Sequence, residues 1–354
     1  MLKAWVWPFL VFMAALMPGA AALRAAQPER IVAIGDLHGD NDAWRAIAQG
    51  AGLIDRKGKW TGGRTTLVQL GDIVDREPDS LKIIRDMMRL QREAPRSGGK
   101  VIVLVGNHEA MNMTNDLRYV HPGEFAAFAN KNSARLRARI YDLNRAAIEA
   151  AYRASSPRMA PDAIRQLWLA STPLGKVEHQ IAWKPDGEIG KWVVGNPAVV
   201  KVGDTLFVHG GVSAAYATVP IEQINRRVAD ALRAQEEAPA SIINDPLGPL
   251  WYRGLVTRSG SDETAAASGP STAPALTIDQ EVDLVLRSYG VKRIVVGHTP
   301  SLSGIVSASN GHLWRADSAN SRAYGGKPSY LEIIGDRVVA HSVPRLAASQ
   351  GRSQ

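Results

Sequence analysis

Five times along the chain, a run of apolar and β-branched residues ends on a short polar cluster flanked by glycine. The five stretches are RIVAIGDLHGD, TTLVQLGDIVDRE, KVIVLVGNHEAMNM, DTLFVHGGVS and VKRIVVGHTPS. Each run is short enough for a strand and apolar on both faces, as a strand buried inside a sheet must be. Helical patterns over Asn41–Gly52 and Asp79–Arg92 separate the first three, and residues 123–170, rich in Ala and Arg, read as largely helical. Strands alternating with helices predict an α/β fold. A terminal strand pair is expected within 303–341. Functional groups of open α/β sheets gather at the carboxyl ends of strands. If these strands are neighbours, the five clusters meet in one pocket.

An ordinary turn needs only Asn-Gly or Asp-Gly chemistry, and burying an imidazole or amide without partners is costly. The convergent set is Asp36, His38, Asp72, Asn107, His209 and His298. These are oxygen and imidazole donors without sulfur, which suits two hard-to-borderline divalent ions. Glycine beside each lets the backbone turn sharply. Each cluster alone has a bland explanation: GDLHG as a strand–turn–helix entry with an aspartate cap, HGG as a tight turn. Five bland features do not line up in order at five strand ends. His121, His179, His312 and His341 lack such surroundings and read as ordinary surface or core residues.

The 354 residues suffice for one large α/β domain or two average ones. With no cysteine, disulfides, thiolate zinc sites and cysteine nucleophiles are excluded. The formal charge of +8 fits attraction of anions such as phosphorylated substrates and equally fits a solvated surface. No basic run with interleaved aromatics appears, so no specific nucleic-acid partner is expected. Lys3, the apolar run Ala4–Met17 and the small residues Ala20–Ala22 form the three-part pattern of a secretory signal peptide over 1–22. The alternative is an uncleaved anchor, the only membrane association expected, since Ala4–Leu23 approaches the ~20 residues needed to span a bilayer. Either way the chain is expected in the periplasm or secreted. Residues 23–345 form the domain, with a helical cap insertion at 113–195, a Ser/Thr/Ala/Gly-rich surface loop at 257–275 and a disordered tail at 346–354.

Taken in order, GDLHG, GDIVDR, GNHE, HGG and GHT resemble the motifs of the calcineurin-like metallophosphoesterase superfamily, phosphoprotein phosphatase type. GNHEAMNMTNDLRYV, GDTLFVHGG and GPLWYRG are most similar to the bacterial Shewanella-like subgroup. The motifs span residues 35–300. One departure is Glu77, where the family pattern GDxxDRG has glycine, which puts the loop geometry beside Arg76 in doubt. The resemblance implies a sandwich of two mixed β-sheets flanked by helices. It also implies two divalent ions, manganese first, with iron and zinc also fitting. Asp36 and His38 would ligate the first ion, Asp72 would bridge both, and Asn107, His209 and His298 would complete the second. A metal-bound hydroxide would attack the phosphorus directly. His108 would be the general acid, with Asp75 on its other ring nitrogen, and Arg76, Arg253 and Asn107 would bind the phosphoryl group. Glu109 is expected to orient ligands or the loop.

These expectations describe a dinuclear phosphatase acting on phosphoprotein or on small phosphomonoesters. A phosphodiesterase or dinucleoside polyphosphate hydrolase is the enzymatic alternative, since such relatives share the metal motifs. A metal- or phosphate-binding protein without turnover is the other, and it would need neither His108 nor Asp75. Asp245, before proline in INDPLGPLW, reads as an Asx-turn, while Arg322 or Tyr324 of SRAYGG is a candidate for the substrate entrance.

Overall fold

The computed structural model describes Met1, residues 29–258 and residues 276–346. Apart from Met1, Thr257, Arg258 and Leu346, the expected leader, surface loop and tail lie outside the described residues.

All five glycine-terminated runs are strands: β1 (Arg30–Ile34), β2 (Thr66–Gln69), β3 (Lys100–Val103), β5 (Thr205–Val208) and β6 (Arg293–Val296). They divide between two mixed five-stranded sheets. In the first, β1, β2 and β3 lie parallel, and the hairpin of β9 (Ser329–Ile334) and β10 (Arg337–Ser342) adds antiparallel to β1, giving the order β10-β9-β1-β2-β3. In the second, β4 (Val199–Val202) turns back into β5 at Gly203, whose φ of 58° suits the tight connection. The order there is β4-β5-β6-β8-β7, with β8 (Leu313–Arg315) parallel to β6 and β7 (Val306–Ala308) on the edge. The expected terminal pair is the β9–β10 hairpin, which runs on to Ser342, and the same stretch also holds β7 and β8 of the second sheet.

Strand periodicity sets the layers. Ile31, Ala33, Val68, Leu70, Ile102 and Leu104 point inward, where they meet Phe207 and Val295 of the second sheet. The alternate residues, among them Val32, Ile34, Leu67, Val101 and Val103, point outward into a second apolar cluster. There α1 (Asn41–Gly50) and α2 (Ser80–Glu93) cover the first sheet with Trp44, Ile47, Ile83, Ile84 and Met87. On the second sheet, α9 (Ile221–Ala234) and α10 (Ile278–Tyr289) contribute Ile224, Val228, Val282 and Val285. Burial on both faces explains why the runs are continuously apolar rather than alternating. Phe207 is fully buried in the inter-sheet layer, and truncating it to alanine would cost about 3–5 kcal/mol.

Between α3 (Asn107–Met113) and β4 the chain is helical: α4 (Pro122–Phe128), α5 (Ser133–Ser155), α6 (Pro161–Ser171), α7 (Lys176–Trp183) and α8 (Glu188–Val194). The long α5 buries only Ser133 and Tyr141, and α6 only Ile164. By contrast α7 buries Val177, His179 and Trp183 and packs against α3.

Candidate active site

The loops that follow the five strands meet where the two sheets face each other. The first sheet supplies Asp36, His38, Asp72 and Asn107, and the second supplies His209 and His298. All six are buried. Three of them, His38 (φ 43°), Asp72 (φ 51°) and His298 (φ 65°), hold left-handed backbone without being glycine. Such a conformation costs about 1–2 kcal/mol per residue, and clusters of this kind mark functional sites.

Ligand-capable atoms fall into two groups that share Asp72: His38, Asp72 and His108 in one, and Asp72, His209 and His298 in the other, with the atoms of each group within 4.8 Å of one another. His38 Nε2 also lies 3.8 Å from Asp36 Oδ2. His209 Nε2 lies 3.3 Å from Asp72 Oδ2 and 2.9 Å from Asn107 Oδ1. Asn107 and Asp36 therefore complete the neighbourhood of the two groups.

The tautomers follow from the outer partners. His38 Nδ1 donates to Val74 O at 3.0 Å, and His209 Nδ1 donates to Leu70 O at 2.9 Å. A carbonyl can only accept, so each ring carries a proton on Nδ1; His38 then turns a bare Nε2 toward Asp72, while His209 Nε2 faces the oxygens of Asn107 and Asp72. His298 Nε2 is buried with no hydrogen-bond partner among the described residues. Burial holds His38 near a pKa of about 3 and His298 well below its ordinary value, so both stay neutral. Burial also pushes the Asp36 carboxyl well above the usual range, with Asp317 and Asp72 adding like charge. Among the described residues, Asp36 and Asp72 have only histidines as ionic partners. Buried carboxylates converging with bare imidazole nitrogens and no lysine or arginine in direct contact form a site whose charge balances when cations fill it. The residues fit two divalent ions.

Around this centre, Glu109 accepts from the backbone N–H groups of Asp72, Ile73 and Gly106, each at 2.8 Å, and so ties the Asp72 loop to the head of α3. It touches no ligand atom directly. His108 N donates to Asp72 Oδ1 at 3.0 Å, while its ring Nδ1 lies 2.5 Å from Asp75 Oδ2 and its Nε2 faces Asp72 Oδ2 at 3.9 Å. Burial alone would lower the His108 pKa, but Asp72 and Asp75 outweigh it and the imidazole is pushed above its ordinary value. The Arg76 guanidinium lies between two aromatic rings, 4.5 Å from the Tyr119 centroid and 5.1 Å from that of Tyr324. Arg253 reaches the centre from the other sheet, with Nη1 donating to His298 O at 2.9 Å and Thr299 Oγ1 at 3.1 Å.

A calcineurin-like phosphoesterase family model matches residues 29–302, most of the chain. The chain belongs to the calcineurin-like phosphoesterase family. Within it the chain falls in the Shewanella-like phosphatase subgroup. Shewanella-like protein phosphatase 2 of Arabidopsis thaliana is 35% identical over 327 residues, covering 88% of this chain and 77% of the relative. Shewanella-like protein phosphatase 1 of Plasmodium berghei is 28% identical over 315 residues, covering 88% and 73%. The cold-active protein-tyrosine phosphatase of a psychrophilic Shewanella species shares the fold, with a TM-score of 0.63 at 23% identity over 90% of this chain and 81% of that one.

The glycine that the calcineurin-like pattern places at residue 77 is not needed here. Asp75 (φ 72°) and Arg76 (φ 70°) take the left-handed backbone, and Glu77 is outside that region. The turn is held by Arg76 N donating to Tyr119 O at 2.9 Å. Of the two entrance candidates, Tyr324 reaches the site, with its ring 5.2 Å from that of His38. Arg322 does not: it pairs with Asp40 and Asp42 and anchors the loop to the start of α1. Asp245 is an Asx-turn, accepting from Leu247 N and from Tyr216 Oη. His179 is a core residue, and His121 caps α4 by accepting from Gly123 N.

Three residues near the site escape a reading of the sequence. Tyr119 follows the GNHE run as a lone aromatic in a loop. Asn112 sits in α3 with no glycine beside it. Asp317 ends β8 just as the ligands end their strands, but alanine precedes it, so the glycine signal is missing. Burial raises Asp317 to a pKa of about 6, and Asp72 adds to the shift.

Proposed function

We propose that the protein is a dinuclear metal-dependent phosphatase that hydrolyses phosphomonoesters. The observation that carries this reading is the pair of ligand groups sharing Asp72, with the His108–Asp75 pair on one edge. Asp36, His38 and Asp72 would hold one ion, and Asp72, Asn107, His209 and His298 the other. When bound, two such ions supply positive charge to the phosphoryl oxygens and lower the pKa of an attacking water. His108 donates the proton that the leaving oxygen needs as the phosphorus–oxygen ester bond breaks. Asp75 holds the Nδ1 proton, so the ring presents Nε2 to that oxygen. Arg76, fixed between the two tyrosines, and Arg253, fixed on His298 O, supply planar donors for the other phosphoryl oxygens. A binder without turnover would need neither His108 nor Asp75.

Tyr119 and Tyr324 flank Arg76 with ring faces, which supports aryl phosphates, phosphotyrosine in protein among them, over alkyl esters. The Shewanella structural relative bears the name of a protein-tyrosine phosphatase. Donors without sulfur support manganese, with iron and zinc also accepted. The pattern in residues 1–22 supports export, with cleavage after Ala22 leaving Leu23 first. Finding intact Met1–Leu23 in the membrane fraction would favour an anchor instead.

The deciding experiment is a substrate panel on metal-loaded protein: p-nitrophenyl phosphate, bis-p-nitrophenyl phosphate, phosphopeptides of each type and a dinucleoside polyphosphate. Turnover of p-nitrophenyl phosphate and phosphotyrosine peptide far above the diester and the polyphosphate is the expected result. Preference for the diester or the polyphosphate would overturn the monoesterase reading.

A further inference from the structure

Asn112 lies one turn beyond His108 in α3, with 3% of its surface exposed. Its Nδ2 donates twice, to Asp75 Oδ1 at 2.9 Å and to His108 O at 3.0 Å. Its Oδ1 is buried without a hydrogen-bond partner among the described residues. Turning the amide over would set that oxygen against the Asp75 carboxylate, two acceptors face to face. The orientation is therefore fixed by what Asp75 requires, and the unpaired oxygen is a cost tolerated for it.

Asp75 needs holding. It is the first of two consecutive left-handed residues in a loop, so no helix or strand fixes its backbone. The terminal torsion of an aspartate is broad. Held by His108 alone, the carboxylate would swing and the imidazole would tilt with it. Held at Oδ2 by His108 and at Oδ1 by Asn112, it has one orientation. Because Asn112 also grips His108 O, the acid, its partner and the amide form a closed triangle.

We infer that Asn112 is a positioning residue of the reaction: acting through Asp75, it sets the angle at which His108 offers its proton to the leaving oxygen. This rests on the reading of His108 as the general acid. The amide hydrogen-bonds to Asp75 and His108 and to none of the six residues proposed to hold the ions, so its effect falls on proton transfer and leaves metal and phosphate binding alone.

The test compares Asn112→Leu and Asn112→Asp in the wild-type and Asp75→Asn backgrounds, with His108→Asn measured in parallel. Asn112→Leu removes both polar atoms of the amide while keeping the branching at Cγ. Should Asn112→Leu not fold, Asn112→Asp keeps the size and replaces the donor with a second carboxylate. Metal content, KM and kcat are read on p-nitrophenyl, phenyl and alkyl phosphates. Each Asn112 variant should keep both ions and its KM. Its kcat on the alkyl ester should fall by about tenfold, part of the ~10²–10⁴-fold that general acid catalysis supplies, and much less on the p-nitrophenyl ester. In the Asp75→Asn background the same change should add almost nothing, because its route is already cut. Equal losses on all esters, lost metal, or full additivity with Asp75→Asn would overturn the inference. If His108→Asn discriminates between leaving groups and the Asn112 variants do not, this inference alone falls. If His108→Asn does not discriminate either, the general-acid reading falls and takes this one with it.

Discussion

His108 Nδ1 lies 2.5 Å from Asp75 Oδ2, with the Asp75 side chain wholly enclosed, and the ring's other nitrogen faces the shared carboxylate Asp72. One nitrogen is thus spent on orientation, and in the proposed mechanism the other serves the substrate. His108→Asn should lose ~10²–10⁴-fold on alkyl phosphates and far less on p-nitrophenyl phosphate, whose leaving group needs no proton. Asp75→Asn should show the same selectivity in milder form. Steady-state rates with metal content checked decide it, and a uniform loss across leaving groups would make His108 structural.

Asp72 belongs to both ligand groups, so Asp72→Ala should lose metal as well as activity. Chelation of the native protein should abolish turnover, added manganese should restore it, and metal should raise the unfolding temperature because it binds only the folded chain. Elemental analysis finding two tightly held ions in Asp72→Ala would rule out the shared role.

Gly106 has no side chain for a steric reason. A Cβ there would lie 2.2 Å from Asp72 Oδ1 and 2.5 Å from Asp72 N. Gly106 has φ −99°, which any residue can adopt, so Gly106→Ala should fold but displace the Asp72 carboxylate. Weakened metal affinity by calorimetry, at near-native circular dichroism, is the expected outcome. Native affinity would mean that the loop moves aside freely.

Arg253 is tethered through Nη1 to the carbonyl of His298, and among the described residues the rest of its guanidinium has no hydrogen-bond partner, as a group proposed to bind an anion requires. Arg253→Ala should raise the KM for aryl and alkyl esters alike, and raise the inorganic phosphate needed to inhibit by about tenfold or more, the worth of a charge-assisted hydrogen bond. An unchanged phosphate inhibition constant would remove Arg253 from the binding site.

His179 is enclosed by Phe125 and Phe128, each ring centroid 5.2 Å away, and neither of its nitrogens has a partner. Burial lowers its pKa to about 3, and nearby Lys176 adds to the shift. Between about 3 and the ordinary value of ~6.5, the unfolded chain binds a proton that the folded one refuses, so stability falls as pH drops through that window. The slope is up to about 1.4 kcal/mol per pH unit. Glu124, raised by burial to a pKa of about 8, acts with the opposite sign between its unfolded value and 8. The measurement is therefore a difference: His179→Phe should flatten the fall of unfolding temperature below pH 6.5 relative to the native chain. Parallel curves would show that His179 does not titrate on unfolding.

The strands that carry ligands were legible because burial on both faces writes an unbroken apolar run, and a glycine marks where each stops. The grouping of those strands was not. Nothing local to Val101 or Val295 says that one lies in each sheet, since both sheets need the same residues. The sequence around 303–341 shows apolar alternation, yet the assignment of β8 to one sheet and β9 to the other depends on partners far away in the chain. Site residues were readable where a ligand needs a glycine neighbour, as with Asp36 and His209. Asn112 and Tyr119 were opaque because their importance lies in what they touch, Asp75 and Arg76, rather than in a pattern along the backbone.

The pairing of β1 with β9 has a consequence for folding. Arg30 sits opposite Ile334 and Ala33 opposite Leu331, so one edge of β1 stays bare until β9, far along the chain, is in place. A folding chain can assemble β1, β2 and β3 and the helices around them, but that edge exposes unpaired backbone donors and acceptors until the hairpin of β9 and β10 docks. Closing so distant a contact is slow. During that interval the half-built first sheet can accept a strand from another chain.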